Sequence, residues 1–200
     1  MFLIYPVILG VLLGLLLGGR PANLGRIPLR WSGAIAGGML AQIALFIEPV
    51  TVRIGDLGPP IYLASSFLVL AAVVRNWRIP GLPILATGAA ANLAAIVTNG
   101  GYMPASPDAM AALGRAEIEV YSNSATMREP VLALLTDIFA MPTWVPGANI
   151  FSIGDVLIGI GVAIAIIVGM GGRFVRRWGP ASGPHPAVTG PLIPDGETRP

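Results

Sequence analysis

Two acidic residues of this chain, Asp137 and Asp155, stand inside apolar strings, TDIFAMP and SIGDVLIGIG. An ionisable side chain in such surroundings is a functional candidate by default. Two carboxylates brought together where water is scarce split their pKa values and can share a proton, which is the chemistry needed to activate water for hydrolysis. Asp137 and Asp155 are therefore the candidate catalytic residues if the chain is an enzyme. Asp155 has a second reading. Ser152 and Asp155 have the S-x-x-D spacing of a capping box directly before an apolar helix, with Ser152 as the cap and Asp155 reaching back to a free backbone N–H. Asn92 in GAAAN, and Asn99 and Tyr102 in NGGYMP, join Asp137, Ser152 and Asp155 as candidate binding residues. Other chemistries lack their residues. There is no cysteine, and the single histidine, His185, lies in a Pro/Gly-rich tail, so neither a metal site nor a cofactor is expected. Phosphate-loop, dinucleotide and zinc-protease strings are absent.

The elements that must hold these residues are apolar helices. Of the 200 residues, 54% are hydrophobic and 11% charged, and mean hydropathy is +0.77. A soluble domain carries about 25% charged residues, so a bilayer is the expected solvent. The fold expected is all-α and integral to the membrane, with spans at about 2–18, 31–47, 60–77, 82–98 and 153–170. These form one membrane domain over residues 1–178, followed by a disordered cytoplasmic tail over 179–200, whose composition cannot bury a core. Gly10, Gly14 and Gly18 share one face of the first span, and Gly33 and Gly37 repeat the spacing in the second. Small residues so spaced let two backbones approach in lipid. The face Gly10–Gly14–Gly18 is thus a candidate contact for a partner helix or a second copy. Gln42 and Asn92 need hydrogen-bond partners at membrane depth, most simply on other helices.

The basic residues are all arginine. Arg20, Arg26, Arg30, Arg75, Arg78, Arg173, Arg176 and Arg177 fall on one side of the proposed threading. Arg53, Arg115 and Arg128 fall on the other, with Glu48, Asp56, Asp108, Glu117, Glu119, Glu129 and Asp137. Positive-inside then puts the N-terminus outside, the C-terminus in the cytoplasm and the outer segment 99–152 outside. The net charge of +2 and the scattered arginines give no argument for nucleic acid. In the outer segment, Asn99-Gly100-Gly101 suits a helix C-cap. SPDAMAALGRAEIEVY predicts a short helix with Ser106 as N-cap, and EPVLALLTDIFAMP a second from about Glu129.

Asn99-Gly100-Gly101-Tyr102-Met103-Pro104, Thr136 to Pro142 and Ser152 to Gly161 together resemble, in order and topology, an uncharacterised family of small bacterial membrane proteins, a domain of unknown function. That resemblance implies no activity. The last span also resembles that of lipoprotein signal peptidase, a membrane aspartyl protease. Phe151, Asp155, Ile158 and Gly161 match, with Ser152 where that family has Asn. Its other aspartate belongs to a GA-x-x-N-x-x-D string. Gly88, Ala89 and Asn92 match, but Ala95 stands in place of the acid. The function expected is that of a multi-pass cell-membrane protein that is not an enzyme and serves as a scaffold or binds a partner. An intramembrane aspartyl hydrolase and a small transporter subunit are the alternatives.

Overall fold

A computed structural model describes residues 2–114 and 124–171 of the chain. The described chain is mostly helical. Its long helices are α1 (Ile4–Leu16), α2 (Ser32–Leu45), α4 (Gly58–Arg75), α5 (Leu82–Thr98) and α7 (Ile153–Gly169). Shorter helices are α3 (Glu48–Ile54) and α6 (Pro107–Ala112). The five long helices fall where the apolar runs are. Of the described helical stretches, one, the 24 residues Val52–Arg75, is both long and apolar enough to cross a bilayer by length and composition. The other four long helices are shorter apolar helices of 13 to 17 residues.

Packing neighbours run α1–α7–α5–α4–α2. The seams are built from glycine and paired polar groups. At α5–α7, a Cβ on Gly88 would lie 2.4 Å from the Gly154 carbonyl oxygen, and one on Gly161 would lie 2.6 Å from that of Gly81. Two glycines on each side of this seam, Gly81 and Gly88 against Gly154 and Gly161, seven residues apart, bring the backbones into direct contact. At α1–α7, Gly10 faces Ala163 and Gly14 faces Met170. The Gly10–Gly14 face is thus filled by α7 of the same chain, and Gly18, at φ +77°, lies beyond the end of α1. At α2–α4 the close glycine is Gly38, against Val69 and Ser65, whereas Gly33 and Gly37 face open space. One residue along a helix is about 100° around it, so the contact falls beside the face that the spacing picks out. Gln42 lies one turn beyond Gly38 and donates to Ser66 Oγ at 3.0 Å, so its partner is indeed another helix.

The outer segment departs from an all-helical expectation. Its described residues hold four short strands, β1 (Met103–Ala105), β2 (Ser124–Thr126), β3 (Phe139–Ala140) and β4 (Ile150–Phe151). β1 and β2 are parallel, with Ala105 opposite Thr126, and β3 and β4 are antiparallel, with Phe139 opposite Phe151. The helix after Ser106 starts at Pro107 as predicted, but Ser106 makes no side-chain cap bond, and the helix ends at Ala112 with Gly114 at φ +63°. The rest of that predicted helix, with Arg115, Glu117 and Glu119, lies outside the described residues. So do Arg173, Arg176, Arg177 and the tail 179–200. The second predicted helix, from Glu129, is not formed. Leu132 is left-handed at φ 56°, only the 3-10 turn Ala133–Leu135 follows, and Asp137 and Phe139 give their backbones to neighbouring strands. Pairing that joins residues far apart in sequence overrides the local helical pattern here.

Candidate functional site

The Asn99 turn fixes the route from α5 into the outer segment. Asn99, Gly100 at φ +74° and the Gly101 N–H donating to the Ile96 carbonyl at 2.9 Å close the helix in a left-handed cap, as the sequence predicted. The Asn99 side chain then pins a distant stretch. Its Nδ2 donates to the carbonyls of Ala95 (2.7 Å) and Val131 (2.8 Å), and its Oδ1 accepts from the Val131 N–H (2.9 Å). Tyr102 is half-buried in the turn leading to β1. Across the cap, the Phe151 ring stacks on Phe2 at 4.6 Å and on Phe139 at 5.5 Å, and the Tyr5 hydroxyl donates to the Pro146 carbonyl. The first turn of α1 is thereby tied to the outer segment.

Under this cap, α5 and α7 meet at a closed polar ring. Ser152 is fully buried and caps α7: its Oγ accepts from the Asp155 N–H at 3.1 Å, while its own N–H donates to Asp155 Oδ2 at 3.1 Å. The predicted capping box is formed. The ring closes through α5, because Asn92 Nδ2 donates to Asp155 Oδ1 at 2.8 Å and Ser152 Oγ donates to Asn92 Oδ1 at 2.8 Å. Gly154 is what allows Asn92 to come so near: a Cβ there would lie 1.9 Å from Asn92 Oδ1. Both carboxylate oxygens of Asp155 are thus engaged by fixed donors, one of them on another helix.

Asp137 is placed differently. Its backbone extends the small outer sheet: the Asp137 N–H donates to the Pro104 carbonyl and the Ser106 N–H to the Asp137 carbonyl, both at 3.0 Å. Ala105 is thus paired with Thr126 on one side and Asp137 on the other. Residues opposite one another in a sheet project to the same face. Thr126 Oγ1 and Asp137 Oδ1 on that face are both buried without a hydrogen-bond partner. Asp137 is only 7% exposed, and burial first, then the negative charge of Asp155, pushes its pKa from the usual 3.8 up to about 7. Near neutral pH this carboxyl can take up or release a proton. It offers an acid–base group and an open hydrogen-bonding position, with a threonine hydroxyl across the sheet.

Of the six candidate residues, Asn92, Ser152 and Asp155 come together in one ring, and the charge of Asp155 is felt at Asp137. Asn99 and Tyr102 serve the turn above. Sequence reasoning missed Thr126, because nothing in the string SNSAT marks it, and it missed Gly154 as the approach point. The position where the peptidase carries its second acid is Ala95, fully buried beside Ile96 and Met103. No group of three or more metal-ligating side chains is present among the described residues.

A helical chain with glycine-built seams, a capping ring and a folded outer cap is the class the fold defines. Residues 26–167 match the family of unknown function DUF5317, and the chain belongs to that family. The matched segment runs from the middle of the loop between α1 and α2 nearly to the end of α7, so it contains the ring, the cap and Asp137, and leaves α1 outside. No curated protein and no solved structure matches the chain.

Proposed function

We propose that this chain is a five-span protein of the bacterial cell membrane, N-terminus outside, whose outer segment is a folded platform for a membrane or protein partner. The observation that carries the membrane reading is the distribution of side-chain size. Large apolar side chains such as Leu9, Leu12, Leu16, Leu40, Ile43 and Phe67 face outward, Leu16 being 81% exposed, while the helix contacts are glycines and paired amides. In water that pattern would leave extensive apolar surface unburied. In lipid it is the expected one, since close backbone packing and interhelical hydrogen bonds hold such helices together. A reporter fused after Arg177 that is active only outside the cell would overturn the threading.

The partner-binding reading draws on Asp155, whose two oxygens are both held by structural donors, and on the cap's surface. Val131, Leu132, Leu134, Phe139 and Trp144 are exposed there, Trp144 by 82%. A second reading, acid–base chemistry by an Asp137–Asp155 pair, is favoured by the raised pKa and the open Oδ1 of Asp137. Complementation of a deletion strain separates the two. If the platform is the function, Asp137→Asn restores the phenotype and Leu134→Glu with Trp144→Glu does not, at equal protein level. If acid–base chemistry is the function, the outcome reverses.

A further inference from the structure

The end of the bundle away from Asp137 holds an open, shallow cavity of about 390 Å³. It lies between the 3-10 turn Pro21–Arg26, the α4–α5 turn and the last turns of α7. Its walls are tied on both sides. The Arg30 N–H donates to Asn76 Oδ1 at 2.8 Å, and Asn76 Nδ2 donates back to the Arg30 carbonyl and to that of Ala72, each at 2.7 Å. The Arg20 N–H and Asn23 Nδ2 both donate to the Met170 carbonyl, at 2.8 and 2.9 Å. Gly169 lets the first loop sit on α7, since a Cβ there would lie 2.6 Å from Ile27 Cδ1. Ile27, Ile79, Ala165 and Val168 give the cavity an apolar floor, and Arg26 and Asn23 stand at its polar side.

The charge around this cavity has one sign. Arg20, Arg26, Arg30, Arg75 and Arg78 are exposed at this end, and no acid lies there among the described residues. Asp56, Asp108, Glu129, Asp137 and Asp155 all lie toward the other end. Among the described residues these arginines have no carboxylate to meet, so a negatively charged ligand is the complement they lack.

We propose that this cavity binds the headgroup phosphate of an anionic phospholipid, with Arg26 on the phosphate and an acyl chain along Ile79 and Val168. The guanidinium fork matches phosphate oxygens. Free phosphate offers the same oxygens, but it has no use for an apolar floor. A lipid uses both halves of the cavity, and basic pockets between helices at the cytoplasmic face suit such headgroups. The inference rests on the membrane reading above, whose own test is separate: release of the chain from membranes by alkaline carbonate overturns that reading.

The test is native mass spectrometry of the full chain in detergent with equal amounts of phosphatidylglycerol and phosphatidylcholine. The wild type is expected to retain phosphatidylglycerol over phosphatidylcholine. Arg26→Gln is expected to lower that retention about fivefold, the equivalent of about 1 kcal/mol for one basic side chain at an anionic surface. Arg53→Gln, at the other end, leaves it unchanged. Ile79→Trp fills the floor without altering charge and also lowers retention. Inorganic phosphate in millimolar excess does not displace the lipid. Equal retention of the two lipids, an Arg26→Gln protein that behaves as wild type, indifference to Ile79→Trp, or displacement by inorganic phosphate would each overturn the proposal.

Discussion

Replacing Asp137 by Asn removes the one buried ionisation at that position while keeping the side chain's shape. Asp137 binds its proton more tightly folded than unfolded, since burial and Asp155 raise its pKa from 3.8 to about 7. Between those two values the folded state holds more protons than the unfolded one, so stability falls as pH rises through the window and levels off above it. At about 1.4 kcal/mol per pH unit, the ionised side chain costs up to about 4 kcal/mol of stability above pH 7. Asn carries no such cost at any pH. The assay is thermal unfolding of the detergent-purified full chain, followed by tryptophan fluorescence from pH 4 to pH 8.5. The wild type is expected to lose melting temperature across this range relative to Asp137→Asn, with a gap at pH 8 on the order of 10 °C, given about 2–4 °C per kcal/mol for a chain of this size. At pH 4 the two curves converge. Asp155→Asn should shrink the pH dependence without abolishing it, because burial is the larger cause. Parallel wild-type and Asp137→Asn curves over the whole range would refute the reasoning.

Further outcomes follow from the seams. Gly154→Ala and Gly88→Ala drive a methyl into Asn92 and into the facing backbone, so both should fail to accumulate as folded protein or melt far below wild type. Gly37→Ala, in open space in the interior of α2, should instead stabilise by about 0.5–1 kcal/mol, read as a small rise in melting temperature. Ser152→Ala loses the α7 cap and the bond to Asn92 and should destabilise by about 1–2 kcal/mol, with Ser152→Thr recovering most of it. Asn76→Ala removes three bonds at the loop junction and should increase protease cleavage between Arg20 and Arg30 in the detergent-solubilised chain.

The helices and their ends were legible in the sequence because their causes are local. Apolar runs mark α1, α2, α4, α5 and α7, Asn99-Gly100-Gly101 carries its own left-handed cap, and Ser152 with Asp155 forms a capping box within four residues. That Gln42 and Asn92 would bond across helices was legible too, since an amide inside an apolar helix needs a partner. Which partner was not. The pairing of Asn92 with Asp155 depends on Gly154 and Gly88 meeting across 60 or more residues, and Gly38 rather than Gly33 or Gly37 faces α4 because helix rotation is set by the neighbour. The outer segment shows the limit most clearly. TDIFAMP has the apolar density of a helix, but Asp137 gains its backbone partners from Pro104 in β1 and Ser106 just after it, far upstream. By itself the sequence determined where the five long helices run and the caps at Asn99-Gly100-Gly101 and Ser152, through interactions spanning a turn or less. Only the tertiary structure decided that Asp137 is buried, that Asn92 of α5 holds Asp155 from across the seam, and that Arg26 stands beside a cavity, because burial and field at a side chain are set by whatever the rest of the chain packs around it.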